Sequence, residues 1–420
     1  MDDLLDPLLD ARFKGFPATH ASLRRSQVGA QGWHVLAGDL PLPLAVVRRS
    51  ALQHNLGWMQ RFVADHGIAL APHGKTTMSP QLFQAQLEHG AWGITFATVG
   101  QMAIGVAAGV RRCLIANQVL TALDLGTIAA LCDRHADLRV LFLLDSAAQL
   151  ALVEGTRPAR PFEVLIEVGV PGGRTGCRGH DEALALARLA HASAAVRLCG
   201  IECYEGLAAK GDTAADSAYA AALMQRVQAL ASVCDGEGLF DSDECIVSAG
   251  GSGLFDLVAP ALRPTLSRPV QGLLRSGCYV THDQGHYRRL VSLVNQRIGC
   301  GDGLQAAMEV WATVQSMPEP GLALLTAGRR DISFDMGLPM PVAWCPRGQR
   351  VPQPAPAGWS ISGLNDQHAH LRLGDAAGAL AVGDRVALGL SHPCTTFDKW
   401  RWMPIVDDDY RVVDALVTWF

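Results

Sequence analysis

From about residue 68 to residue 282, short apolar runs alternate with stretches in which apolar residues recur every three or four positions. That is the pattern of βαβ units feeding a parallel sheet. Eight runs have strand character: 68–71, 93–98, 113–117, 140–145, 163–168, 197–203, 244–249 and 272–275. Between them lie amphipathic segments such as 80–89, which opens on a proline, and 214–233, rich in Ala, Leu and Gln. Eight strand–helix repeats with right-handed crossovers predict an α/β chain whose sheet closes into a (β/α)8 TIM-type barrel.

After about residue 290 the pattern changes. β-favouring segments (306–317, 321–325, 367–373, 385–390 and 410–419) follow one another, separated by Gly, Pro and Asp turns. They predict a mostly β C-terminal domain, within which the proline-rich stretch 345–358 is expected to be an exposed, extended loop. The division expected is therefore an N-terminal segment, 1–44, packing with the β domain; a barrel, 45–290; and the β domain, 291–420. No repeat at a solenoid period is present.

Length and composition agree with that division. At 420 residues the chain accommodates a barrel of about 250 residues and a second domain. The net charge is only -5, and no Lys/Arg run is long enough to track phosphates, which argues against nucleic acid as a partner. The acidic start, Met1 to Asp6, is unlike a signal peptide, and no stretch approaches the roughly 18 apolar residues of a membrane span. A cytoplasmic protein without a membrane partner is expected. Eleven cysteines without a CxxC pair suit reduced thiols better than a disulfide framework.

In a barrel of this kind the chemistry gathers at the C-terminal ends of the strands. Lys75 follows the first run in Pro72-His73-Gly74-Lys75-Thr76, where desolvation would favour the neutral amine that forms an imine with an aldehyde cofactor. The plainer reading is a loop lysine, although lysine is scarce in this chain. After the seventh run comes Ser248-Ala249-Gly250-Gly251-Ser252, whose backbone amides, at a helix start, suit a phosphate. Alone, it is equally a tight loop. The eighth run ends in Arg275-Ser276-Gly277-Cys278-Tyr279, adding donors at the neighbouring position, and the loops after strands 7 and 8 are the habitual phosphate site of this fold. A lysine facing two such turns describes a phosphate-anchored aldehyde cofactor.

Other mouth positions are Arg174, which would face a pyridine nitrogen or make a surface salt bridge, and Tyr204, which would flank a ring or cap the barrel. His73, and His282, Asp283, His286 and Tyr287 beyond strand 8, are either site residues or ordinary loop residues. Far downstream, Ser391-His392-Pro393-Cys394 places an imidazole and a thiol on one face of an extended segment, roughly 7 Å apart. They suit Zn²⁺, or a structural histidine beside a buried cysteine.

Together these blocks, with Gly173-Arg174-Thr175-Gly176, Tyr204-Glu205-Gly206 and Gly328-Arg329-Arg330-Asp331, resemble the D-serine dehydratase/D-threonine aldolase family, the metal-activated branch of fold-type III pyridoxal-5′-phosphate (PLP) enzymes. The resemblance implies PLP on Lys75, cofactor contacts from Arg174, Tyr204, Ser248, Gly250, Gly251, Ser252, Ser276, Gly277, Cys278 and Tyr279, and a divalent metal on His392 and Cys394. It also implies a homodimer. A thiolate at the second ligand position points to zinc and to the dehydratase side, with a β-hydroxy D-amino acid as substrate. The rivals are retro-aldol cleavage of a D-threonine-like substrate, which gives glycine and an aldehyde, and a noncatalytic PLP carrier.

Overall fold

The computed structural model describes residues 2–206, 209–374 and 380–420. Each of the eight apolar runs overlaps a strand: β1 Ala69–Leu70, β2 Ile94–Phe96, β3 Arg112–Gln118, β4 Arg139–Leu144, β5 Phe162–Val168, β6 Val196–Cys203, β7 Cys245–Ala249 and β8 Val270–Leu274. All neighbours pair in parallel, from β2 in sequence order to β8 and then to β1. The remaining seam is closed by Trp92 N–H to Leu70 O (2.7 Å), Thr95 N–H to Pro72 O (2.9 Å) and a parallel bridge between His73 and Thr95. The β1 strand is short because Pro72 lacks an amide proton and the chain turns at once into the 3-10 helix Gly74–Thr76.

Strand side chains alternate between two cores. Leu114, Leu141, Leu143, Leu165, Cys199, Ile246 and Leu273 form a small cluster of their own, while their neighbours Cys113, Ile115, Phe142, Leu144, Val164, Ile166 and Val247 join the main core. The first set plugs the barrel and the second carries the helices outside. Among the described residues no helix is long and apolar enough to cross a membrane.

The C-terminal half is antiparallel. Strands at Met308–Glu319, Leu322–Leu325, Ala369–Arg372, Arg385–Gly389 and Val412–Val417 lie within the five expected segments or run two residues past them. Met340–Cys345, Gln353–Pro354, Ser360–Leu364 and Trp402–Val406 are added to them. The strand Leu44–Arg48 pairs antiparallel with Met308–Trp311 and parallel with Ile405–Val406, so the chain through Arg48 belongs to this sheet. The first barrel element is then the helix Arg49–Asp65, where the sequence placed the start at 45. The proline-rich stretch 345–358 is mostly exposed and donates the two-residue edge strand Gln353–Pro354.

Candidate active site at the barrel mouth

Lys75, on the 3-10 turn after β1, projects into a cavity of about 380 Å³. The walls include His73, Thr76, Asn117, Glu167, Arg174, Glu202, Tyr204, Gly250, Gly251, Ser252, Arg275, Gly277, Cys278, Tyr287, Met336, His392 and Cys394. Lys75 itself is exposed to this space. Behind it, His73 Nδ1 is buried without a hydrogen-bond partner. Burial holds the His73 pKa well below the usual range, with the cations Lys75 and Arg275 acting in the same direction.

Arg275 ties three strand ends together. Its guanidinium donates to Ser248 Oγ (2.5 Å) and to Cys203 O (3.1 Å), and it lies 2.7 Å from Glu202 Oε2. The Glu202 contact is short but off-axis, leaving Oε2 without an aligned hydrogen bond. Burial, only partly offset by Arg275, raises the Glu202 pKa to about 7. Glu167, at the end of β5, accepts from Gln118 (2.5 Å) and Thr175 (2.7 Å).

The loop bearing Arg174 is held from behind by Arg178, which donates to the carbonyls of Gly173, Arg174, Thr175 and Gly176. Arg174 thereby stands 5.2 Å from the Tyr204 ring centroid, and the two predicted mouth residues meet as a cation–π pair. Burial lifts the Tyr204 phenol to about 12.

The glycine turn after β7 does gather amides around an anion, but a different one from that expected. Gly250 N–H and Gly251 N–H donate to the Glu205 carboxylate at 3.1 and 2.5 Å, and Glu205 is fully buried. Gly277 must be glycine: a Cβ there would stand 2.7 Å from both His73 O and Thr76 Oγ1. Three residues assigned to the cofactor from sequence spend their polar atoms elsewhere and are not among the cavity walls. Ser248 Oγ donates to Leu273 O and accepts from Arg275, Ser276 Oγ donates to Gly251 O, and the Tyr279 hydroxyl accepts from Gln86. They brace the turns from behind.

His392 and Cys394 arrive from the β domain. The segment is not extended as expected: Pro393 takes an α conformation and Cys394 opens the one-turn helix Cys394–Phe397. This brings the imidazole and thiol close enough for each to shift the other's pKa. His392 Nδ1 is 2.6 Å from Asp335 Oδ2, and Thr395 Oγ1 donates to Asp335 Oδ1 at 2.7 Å, so the ring is fixed by its Nδ1 side. Cys394 Sγ also touches Thr76 Oγ1 (3.4 Å) and Cys278 Sγ (3.5 Å). Burial alone would lower the His392 pKa, but Cys394 and Asp335 together raise it to about 9. A carboxylate on one ring nitrogen is the arrangement that orients a metal-binding histidine through its other nitrogen. Among the described residues no three His, Cys, Asp or Glu side chains are grouped to hold an ion.

Asn117, Glu167, Glu202, Glu205 and Asp335 were not singled out from sequence. The first three share one signal, a polar residue near the C-terminal end of an apolar strand.

A (β/α)8 barrel with an antiparallel domain set against its mouth, and a lysine facing a glycine turn, is the alanine-racemase-like arrangement. A family profile for the alanine racemase N-terminal domain matches residues 47–269, and one described as "Putative serine dehydratase domain" matches residues 307–406. The chain belongs to the D-serine dehydratase/D-threonine aldolase family of alanine-racemase-like, fold-type III PLP enzymes. It is 26% identical over 373 residues to a D-threonine aldolase of Arthrobacter sp., covering 87% of this chain and 89% of that one. It is 29% identical over 370 residues to D-threo-3-hydroxyaspartate dehydratase of Delftia sp. strain HT23, covering 85% and 92%. The solved structure of the Delftia enzyme has a TM-score of 0.71 to this one over 92% of this chain and 99% of that chain. D-threonine aldolase from Filomicrobium marinum shares the fold, with a TM-score of 0.77 at 24% identity over 92% and 97% of the two chains. Two further structures of D-threo-3-hydroxyaspartate dehydratase are mutants in which alanine replaces a histidine and a cysteine two positions apart. The cysteine mutant is described as in the metal-free form.

Proposed function

We propose that this protein is a PLP- and zinc-dependent lyase of the D-serine ammonia-lyase type, which converts a β-hydroxy D-amino acid to a 2-oxo acid and ammonia. The observation that carries this reading is the meeting in one cavity of Lys75, the glycine turns after β7 and β8, and the His392–Cys394 pair. The residues fit the cofactor: a lysine faces a turn whose amides already hold a carboxylate. Lys75 would carry PLP, Tyr204 and Arg174 would flank its ring, and Ser252 with the Gly277–Cys278 turn would take its phosphate. Gly250 and Gly251 join them only where Glu205 yields its two amides. When bound, PLP supplies an electron sink for the bond broken at Cα.

This chain's own residues then have distinct tasks. The Lys75 amine would take and return the Cα proton, and His73 Nδ1, buried and unpartnered, would serve as a neutral acceptor. Tyr287 and Met336 add an aromatic and an apolar side chain to the cavity wall. Imidazole and thiolate are the donors zinc prefers, with water or substrate in the open positions. A zinc ion there would supply a Lewis acid for the β-hydroxyl. The histidine–cysteine spacing is also that of the two dehydratase mutants. This favours elimination over the second reading, retro-aldol cleavage, which the likeness to D-threonine aldolase over most of the chain supports. Relatives that span both domains are named as aldolases and a dehydratase, which leaves little room for a noncatalytic carrier. The working unit proposed is a cytoplasmic homodimer. Lys75→Ala should abolish both the visible absorbance of lysine-bound cofactor and turnover; retention of either contradicts the assignment.

A further inference from the structure

Cys278 and Cys394 lie 116 positions apart in the chain, on the loop after β8 and on the β domain, yet their sulfurs are 3.5 Å apart. Both thiols are free and both line the cavity, so a small reagent that enters the site reaches them. A disulfide holds its sulfurs about 2.05 Å apart, so closing this gap asks for a movement of about 1.5 Å. Side-chain rotation, together with a small shift of the one-turn helix Cys394–Phe397, is motion on that scale.

We propose that this pair is an oxidation site that governs the metal site: a peroxide or a small-molecule disulfide joins Cys278 to Cys394, and an ion held by His392 and Cys394 prevents it. The second half rests on the metal reading above; the first does not. With a peroxide, the sulfur of Cys394 attacks one oxygen, the O–O bond breaks, and the resulting sulfenic acid loses its oxygen as water when the Cys278 sulfur attacks. Two thiols lose two electrons and two protons, and the peroxide becomes two waters. With a small disulfide, the same two electrons reduce it to two thiols. The joined pair withdraws Cys394 from metal binding and staples the β domain across the barrel mouth.

The test uses the full-length protein, chelator-treated or reloaded with zinc, exposed to hydrogen peroxide or oxidised glutathione and then quenched with a thiol-alkylating reagent. In the metal-stripped protein, the count of alkylated cysteines should fall by two from the eleven in the sequence. The unalkylated mass should drop by two hydrogen atoms, and a peptide map should link Cys278 to Cys394, reversibly by a dithiol. Zinc should suppress the link at least tenfold. The variant Cys278→Ser should form no link and instead carry a glutathione or sulfenic adduct at Cys394, which shows that the pocket admits the reagent. Zinc protecting Cys394 from modification, with no link forming in the stripped protein, overturns this proposal and leaves the metal reading standing. A link forming equally with and without zinc overturns the metal reading while the thiol pair remains an oxidation site.

Discussion

His282 lies just beyond β8, buried, with a positive φ of 49° that few side chains adopt. Burial, aided by the charge of Arg288, lowers its pKa from 6.5 to about 4. A buried neutral histidine supports the fold fully above its unfolded pKa, and that support is lost as pH falls from about 6.5 through the folded value. The shift corresponds to an upper bound of roughly 3 kcal/mol. His282→Asn, which tolerates the same backbone region, should therefore lose less stability between pH 7 and pH 4.5 than the parent chain, by up to that amount. Thermal melts across the range check this, and parallel pH profiles would discard it. The same scale shows where sequence reading stops. Lys75 and the His392–Cys394 pair are legible because rare residue types stand in telling places. Glu205 is not, because its role depends on the turn after β6 folding back under the turn after β7, a contact between residues 45 positions apart. Asp335 meets His392 across 57 positions, and no local pattern announces it.

Among the elements, the turns after β1 and β8 are packed as one unit. The Gly277 Cα faces His73 and Thr76 so closely that a methyl group would meet the His73 carbonyl and the Thr76 hydroxyl at 2.7 Å. Gly277→Ala should push the Lys75 turn away from the β8 loop, lowering stability by about 1–3 kcal/mol. It should also weaken PLP retention, read from visible absorbance after gel filtration. A variant with unchanged melting and full cofactor loading would show that the two turns give way without cost. The eight barrel strands were readable because each is centred on an apolar run bounded by breakers, most of whose positions are buried. In the β domain the same logic failed at two strands that proline enters. Met340–Cys345 contains Pro341 beside a bulge, and Trp402–Val406 contains Pro404, yet the latter is buried at all five positions. Proline removes one ladder hydrogen bond, and here the burial of Trp402, Met403 and Val406 outweighs that loss.

At the level of the whole molecule, the N-terminal segment is part of the β domain's core rather than an appendage. Leu9, Phe16, Leu23, Val28, Trp33, Val35, Leu36 and Leu40 are buried, Trp402 Nε1 donates to Lys14 O, and Val412 N–H donates to Trp33 O. Burial on this scale is worth on the order of 10 kcal/mol or more, comparable with the total stability of a folded domain. Deleting residues 1–43 should leave no soluble protein with a cooperative melt, and a deletion variant that melts like the parent would remove this segment from the core. Because the β domain delivers His392 and Cys394 to a mouth built by the barrel, the proposed chemistry belongs to the joined structure. The most direct test of the central claim is product analysis after incubating PLP-loaded protein with D-serine and with D-threonine, with and without a chelator, assaying ammonia, 2-oxo acid and glycine together. The account predicts ammonia and 2-oxo acid in equal amounts, lost with chelator and restored by zinc. Glycine with an aldehyde, or products indifferent to the chelator, would contradict it.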